Sequence, residues 1–192
     1  MRPLCFYLAV AILGYAGVVQ AQKAPVRKPA AQSTGAWEVS ESKSEMTDER
    51  TLILSLRAST SLRGDFGPLW PTLVVRCKEN EVEAYANIGM VLDGGAYGGS
   101  PVRLRWDEDQ PVEASWSRSS DYAAVFADDP PALLAGLMDH SKFRLEVHPF
   151  DKVPVVATFA PRGISSLIPR LSRACPKAGL DTAIARARAG GQ

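Results

Sequence analysis

Residues 73–86 read LVVRCKENEVEAYA, and their alternation decides the fold class. Leu73, Val75 and Cys77 share one phase, while Val74, Arg76 and Lys78 share the other. Side chains two apart lie on the same face of a strand, so this is the pattern of a half-buried strand. It resumes after Glu79-Asn80, with Val82, Ala84 and Ala86 on one phase and Glu81, Glu83 and Tyr85 on the other. Glu79-Asn80 predicts a two-residue hairpin loop, because Asn tolerates positive φ. That loop sets Lys78 opposite Glu81, Cys77 opposite Val82, Arg76 opposite Glu83, Val75 opposite Ala84 and Val74 opposite Tyr85. Apolar residues then meet on one side and opposite charges on the other. A one-residue slip destroys both agreements, so the register is specified.

Working outward, two more hairpins follow the same logic. Val102, Leu104 and Trp106 are predicted inward beside Val112, Ala114 and Trp116, across a turn containing Asp107-Glu108-Asp109. Phe143, Leu145 and Val147 alternate, as do Val153, Val155, Ala157 and Phe159, across a turn with Pro149 and Asp151-Lys152. Pro154 falls on the outward phase, which suits an edge strand. Trp37 and Val39 begin a first strand, Leu52, Leu54, Leu56 and Ala58 form the next, and Tyr122, Ala124 and Phe126 mark another. Two helices interrupt the strands. Asp129 caps one, with Pro130 first and Leu133, Leu134, Leu137 and Met138 as its apolar stripe. Ile164, Leu167, Ile168, Leu171 and Cys175 recur at helical spacing, and Pro169 is tolerable if that helix starts at Ser165 or Ser166. The expectation is a mainly β protein: an antiparallel β-sandwich or half-open barrel with two short helices, the last one disulfide-tethered.

The ends read differently. Residues 1–21 have a basic Arg2, an apolar run from Leu4 to Val19 and a small-x-small site at Val19-Gln20-Ala21, the pattern of a cleaved secretory signal peptide. Residues 22–35 are expected to be a flexible basic linker carrying Lys23, Arg27 and Lys28. Residues 36–176 form the β-rich globular domain, and residues 177–192 an Ala-rich tail expected to be mobile. Cleavage removes Cys5 and leaves Cys77 and Cys175, which export predicts to be joined as a disulfide. No second apolar run is long enough to span a bilayer, so no membrane span is expected after cleavage.

Composition narrows the function classes. The 192 residues hold 22 Lys and Arg against 21 Asp and Glu, and acidic side chains outnumber basic ones within the globular span. A dedicated nucleic-acid binder needs a basic surplus, so nucleic acid is not an expected partner. The two His, His140 and His148, are eight positions apart and do not form a zinc-binding pair, so neither metal nor cofactor is expected. Ser119, Ser120 and Asp121 lack the Gly-x-Ser-x-Gly frame of a nucleophile and read as a self-bonded turn. Glu108, Asp109, Asp128 and Asp129 read as turn and capping residues, with a glycan-cleaving carboxylate pair as the alternative. The Gly-rich stretch of residues 89–99 is either a strand-to-strand loop or a ligand-facing flap. Catalysis is therefore not expected, and no catalytic residue is assigned.

Binding has better candidates. Residues 59–70 carry Leu62, Phe66, Leu69 and Trp70 among Gly and Pro, to be tucked beneath the sheet or exposed as an anchor. Arg76, Lys78, Arg103 and Arg105 fall on outward phases and form a basic stripe if their strands are neighbours, unless Glu81 and Glu83 neutralise it. Asn80, Ser119 and Asp121 complete the candidate binding surface.

The order Trp37, Ser40, Ser44-Glu45-Met46-Thr47-Asp48, then Pro71 through Asn80 (PTLVVRCKEN), resembles the type VI secretion-associated TagO/VasI family. The likeness continues through Val102-Arg103-Leu104-Arg105, Trp116-Ser117-Arg118-Ser119-Ser120-Asp121, Ala157-Thr158-Phe159 and Ala174-Cys175. It implies an exported, periplasmic accessory protein of the cell envelope, partnered with an envelope or secretion-apparatus protein or with peptidoglycan. It transfers no active site. The alternative function is a peptidoglycan-directed protein, either a weak hydrolase or an inhibitor of one.

Overall fold

The computed structural model describes residues 32–34, 37–47, 50–94 and 99–190. The predicted signal peptide and residues 22–31 of the predicted linker lie outside the described residues. In chain order the elements are β1 (Gln32–Thr34), β2 (Trp37–Lys43), β3 (Arg50–Arg57), β4 (Leu62–Gly64), β5 (Gly67–Leu69), β6 (Thr72–Lys78) and β7 (Glu81–Asn87). There follow β8 (Gly99–Trp106), β9 (Val112–Arg118), β10 (Ala124–Phe126), α1 (Pro130–Asp139), β11 (Phe143–Val147), β12 (Val155–Phe159), α2 (Ile164–Ala174) and α3 (Leu180–Gly190). Ten strands form one antiparallel sheet in the order β1-β2-β3-β6-β7-β10-β9-β8-β11-β12, and β4 and β5 pair separately.

The hairpin read from residues 73–86 forms in the predicted register, pair for pair, from Val74–Tyr85 through Lys78–Glu81. Glu79 and Asn80 have φ of 54° and 63°. Two successive positive values give the turn whose twist matches that of the strands it joins. Leu73, Val75, Cys77, Ala84 and Ala86 are buried on one face. On the other, Arg76 pairs with Glu83, whose carboxylate raises the guanidinium pKa. The same rule builds β8–β9, where Val102 meets Ala114, and β11–β12, where Leu145 meets Ala157.

The sheet curls until its far edge returns toward its beginning. The Ser59 amide, just past β3, donates to the Thr158 carbonyl of β12 at 2.7 Å. Trp37 Nε1 on β2 donates to the Pro161 carbonyl, just past β12, at 3.1 Å. The result is a half-open barrel with Trp37, Leu54, Leu73, Phe143 and Phe159 fully buried inside. Phe143 stacks on Phe159 and on Trp106, with ring centroids 6.1 and 4.5 Å apart. At the free edge, Pro154 lies immediately before β12. It presents no amide there, which discourages pairing with another chain.

The helices cap this barrel. Asp129 Oδ1 accepts the Ala132 amide at 2.9 Å and starts α1 as predicted, burying Leu133, Leu134 and Leu137. The α2 helix starts at Ile164, ahead of the predicted Ser165 or Ser166, so Pro169 lies inside it. Pro169 has no amide hydrogen, which leaves the Ser165 carbonyl without its usual helical donor. Burial of Ile164, Leu167, Ile168 and Leu171 offsets that loss. Cys175 caps the end of α2 and is joined to Cys77 on β6, with Cα atoms 5.7 Å apart.

Several expectations need correction. The segment predicted as a mobile tail contains α3, which buries Leu180 and Ile184 and packs on α1. Arg188 Nε donates to Asp139 across that contact at 2.9 Å, so the folded domain runs past residue 176. Leu180, Ile184 and Ala187 form one weak helical stripe in the sequence, too weak to establish the helix without its packing on α1. In the predicted linker, Gln32–Thr34 pairs with β2 as an edge strand. β10 has the opposite phase from that expected: Val125 is fully buried, and Phe126 turns outward to stack on Tyr85 at 4.7 Å. Val112 and Val153, both predicted inward, are exposed. Val112 lies at the mouth of its hairpin, and Val153 precedes its strand.

Candidate functional site

Three loops meet at one end of the barrel. The β4–β5 hairpin carries Asp65 and Phe66 at its tip. Gly67 closes that tip with φ of 131°, a conformation that disfavours any side chain. Gly64 is needed there for space, since a Cβ would lie 2.6 Å from Leu69 Cγ. The segment after β7 runs alongside the β11–β12 loop: Asp93 donates to the His148 carbonyl at 2.7 Å and Phe150 to the Val91 carbonyl at 2.8 Å. An ion pair between Lys152 and Asp65 ties the third loop to the first.

Between them lies a groove of about 340 Å³, lined mainly by Phe66, Pro68, Leu69, Met90, Val91 and Phe150. Phe66 is fully exposed, Phe150 is 65% exposed and Val91 56%. Val153, beside Lys152, is 79% exposed. Trp70 is 43% exposed, with the Arg57 guanidinium 4.2 Å above its ring. The two readings of the 59–70 segment therefore both apply, to different residues. Leu62 tucks into the core and Leu69 packs against it, whereas Phe66 and Trp70 face solvent. Single exposed apolar residues need no explanation, but a cluster on converging loops marks an interaction surface.

The other candidates do not join it. Arg76 and Lys78 lie on β6, and Arg103 and Arg105 on β8, with β7, β10 and β9 between them. The basic stripe does not form. Each cation has a local partner: Arg76 has Glu83, Lys78 has Glu79 at 3.4 Å, Arg103 has Glu146 at 3.1 Å, and Arg105 donates to the Asp109 carbonyl at 2.7 Å. Asn80 occupies its hairpin turn. The Ser119 hydroxyl donates to Asp121 Oδ1 at 2.5 Å, and Asp121 also accepts the Ala123 amide at 3.1 Å. These two bonds hold the Asp121 pKa below its usual value. They form the self-bonded turn expected from sequence.

A second polar cluster was not foreseen. Asp107 Oδ2 lies 3.2 Å from His140 Nδ1, while Asp107 Oδ1 accepts the Ser141 hydroxyl at 2.8 Å and the Lys142 amide at 2.8 Å. The Ser141 hydroxyl, followed by His140 and the two amides, lowers the Asp107 pKa. Serine here bonds the carboxylate rather than the imidazole, so the proton relay of a Ser-His-Asp triad is not assembled. The cluster locks the β8–β9 turn to the end of α1. Among the described residues no group of three or more His, Cys, Asp or Glu is placed to hold a metal ion.

Fold and loop end together describe a disulfide-stapled, half-open antiparallel barrel that presents apolar side chains on converging loops. No family model matches the chain, and no curated protein matches it. Among solved structures it is similar to invasion associated protein B from Bartonella henselae, at 14% identity and a TM-score of 0.52. The match covers 74% of this chain and 95% of that one. At that identity the likeness is one of fold.

Among the described residues no helix is long and apolar enough to cross a membrane.

Proposed function

We propose that this chain is an exported, periplasmic envelope protein that acts by binding a protein partner rather than by catalysis. Its partner is an envelope or secretion-apparatus component, in keeping with the sequence resemblance to type VI secretion-associated factors. The observation that carries the binding role is the exposed cluster of Phe66, Val91 and Phe150 around one groove, with Val153 exposed next to the groove's Lys152. Aromatic anchors of this kind supply most of the binding energy at protein interfaces. The Cys77–Cys175 bond supports an oxidising compartment, where such bonds persist.

The test is a photoreactive phenylalanine analogue in place of Phe66, with a second in place of exposed Val156 on β12 as control. Illumination of intact cells should give a discrete protein adduct from position 66 and none from position 156. Adducts from both positions alike, or from neither, would remove the loop end as the binding surface.

A further inference from the structure

We propose a second binding site, for a cationic apolar peptide segment, in the groove between α1 and the β8–β9 hairpin. This site is independent of the loop end and of the reading given to it. The groove measures about 350 Å³. Its floor is the inner sheet face, where Leu104, Trp106, Ala114 and Trp116 line it, and its wall is the start of α1 with Ala132 and Leu133.

Two observations set the ligand chemistry. The first is an incompletely covered apolar floor. Leu104 and Trp106 are only partly buried, and Val112, paired with Leu104 on the same face, is 59% exposed. By contrast, Leu54, Val75, Phe143 and Leu145 on the same inner face are fully buried. The second is charge. The lining includes Asp128 and Asp129 and no cationic side chain. Asp129 spends Oδ1 on the helix cap, whereas the Asp128 side chain is exposed.

An apolar floor with carboxylates along one wall selects alternating apolar and Lys or Arg side chains. The apolar residues cover the floor and the cations reach the carboxylates. An acidic segment would meet uncompensated repulsion in the same place.

The test titrates the full disulfide-bonded chain calorimetrically with the peptide acetyl-Leu-Lys-Leu-Lys-Leu-amide and with its counterpart bearing Glu in place of Lys. The lysine peptide should bind saturably and at least tenfold more tightly than the glutamate peptide. Asp128→Asn should weaken it about tenfold, and Asp128→Glu should retain it. Ala132→Phe, which fills the groove from an exposed helical position, should abolish binding while leaving the melting temperature unchanged. Equal affinity for the two peptides, absence of saturation, or undiminished binding by Asp128→Asn would each overturn the proposal.

Discussion

Two hairpins of this protein obey opposite rules. In β6–β7 every inward side chain meets an apolar partner, Arg76 pairs with Glu83 on the outward face, and a disulfide anchors the strand from behind. In β4–β5 the strands are three residues long, and the tip holds a phenylalanine in open solvent. The first hairpin is built by requirements of folding, and its side chains are where pairing and burial demand. The second meets only two kinds of requirement, core packing by Leu62 and Leu69 and glycine at the turn. Phe66 answers to neither. A large apolar side chain that folding does not use is the natural place to look for binding.

That contrast breaks or sharpens under substitution. The largest effect belongs to the staple: replacing both Cys77 and Cys175 by Ala removes a link across 98 positions of sequence. Chain entropy sets the expected loss at about 4–5 kcal/mol, a ceiling that measured values often fall short of, read from the denaturant midpoint. Next comes Leu73→Ala in the well-paired hairpin, with an expected cost of about 2–5 kcal/mol for a fully buried side chain. Gly67→Ala should cost on the order of 1–3 kcal/mol. No neighbouring atom lies within 4 Å of the added Cβ, so the backbone alone is responsible. A cost near zero would mean that the tip relaxes freely.

Acid adds a subtler probe. The Asp107 pKa is lowered in the fold, chiefly by the Ser141 hydroxyl. Its stabilisation is therefore fully present above about pH 4, the ordinary carboxylate range, and is lost as pH falls through the lowered value. Asp107→Asn should melt below the parent chain at pH 6, and the gap should close toward pH 2. A gap that is the same at both values would separate the Asp107 cluster from acid stability. The smallest stability effect is expected at the loop end, where Phe66→Ser with Phe150→Ser should stay within about 0.5 kcal/mol.

How much of this was legible in the sequence follows from the same contrast. Alternation specified the β6–β7 register because a slip would have cost two kinds of pairing together. The Asp129 cap and the Cys77–Cys175 pair were legible because single side chains carry those signals. The phase of β10 was not: Ala123, Ala124 and Val125 are all apolar, so no alternation distinguishes the face of Val125 from that of Phe126. The α3 helix was hidden because its stability comes from packing on α1, which an Ala-rich sequence does not advertise. Phe66 and Trp70 were identified as candidates and Val91 lies in the 89–99 stretch read as a loop or ligand-facing flap, but Phe150 and Val153 were not. Their convergence depends on loops distant in sequence, although an aromatic between Pro149 and Asp151 was a usable sign. The basic residues failed as a stripe because phase tells which face a side chain takes and nothing about which strands are neighbours.

The central claim is that the loop end is dispensable for folding and required for binding. The Phe66→Ser, Phe150→Ser chain, carrying the photoreactive analogue in place of neighbouring Val153, tests it against the parent chain with the same analogue. The account expects an unchanged melting temperature together with loss of the adduct. A melting temperature that falls as far as that of Leu73→Ala, or an adduct of undiminished yield, would contradict it.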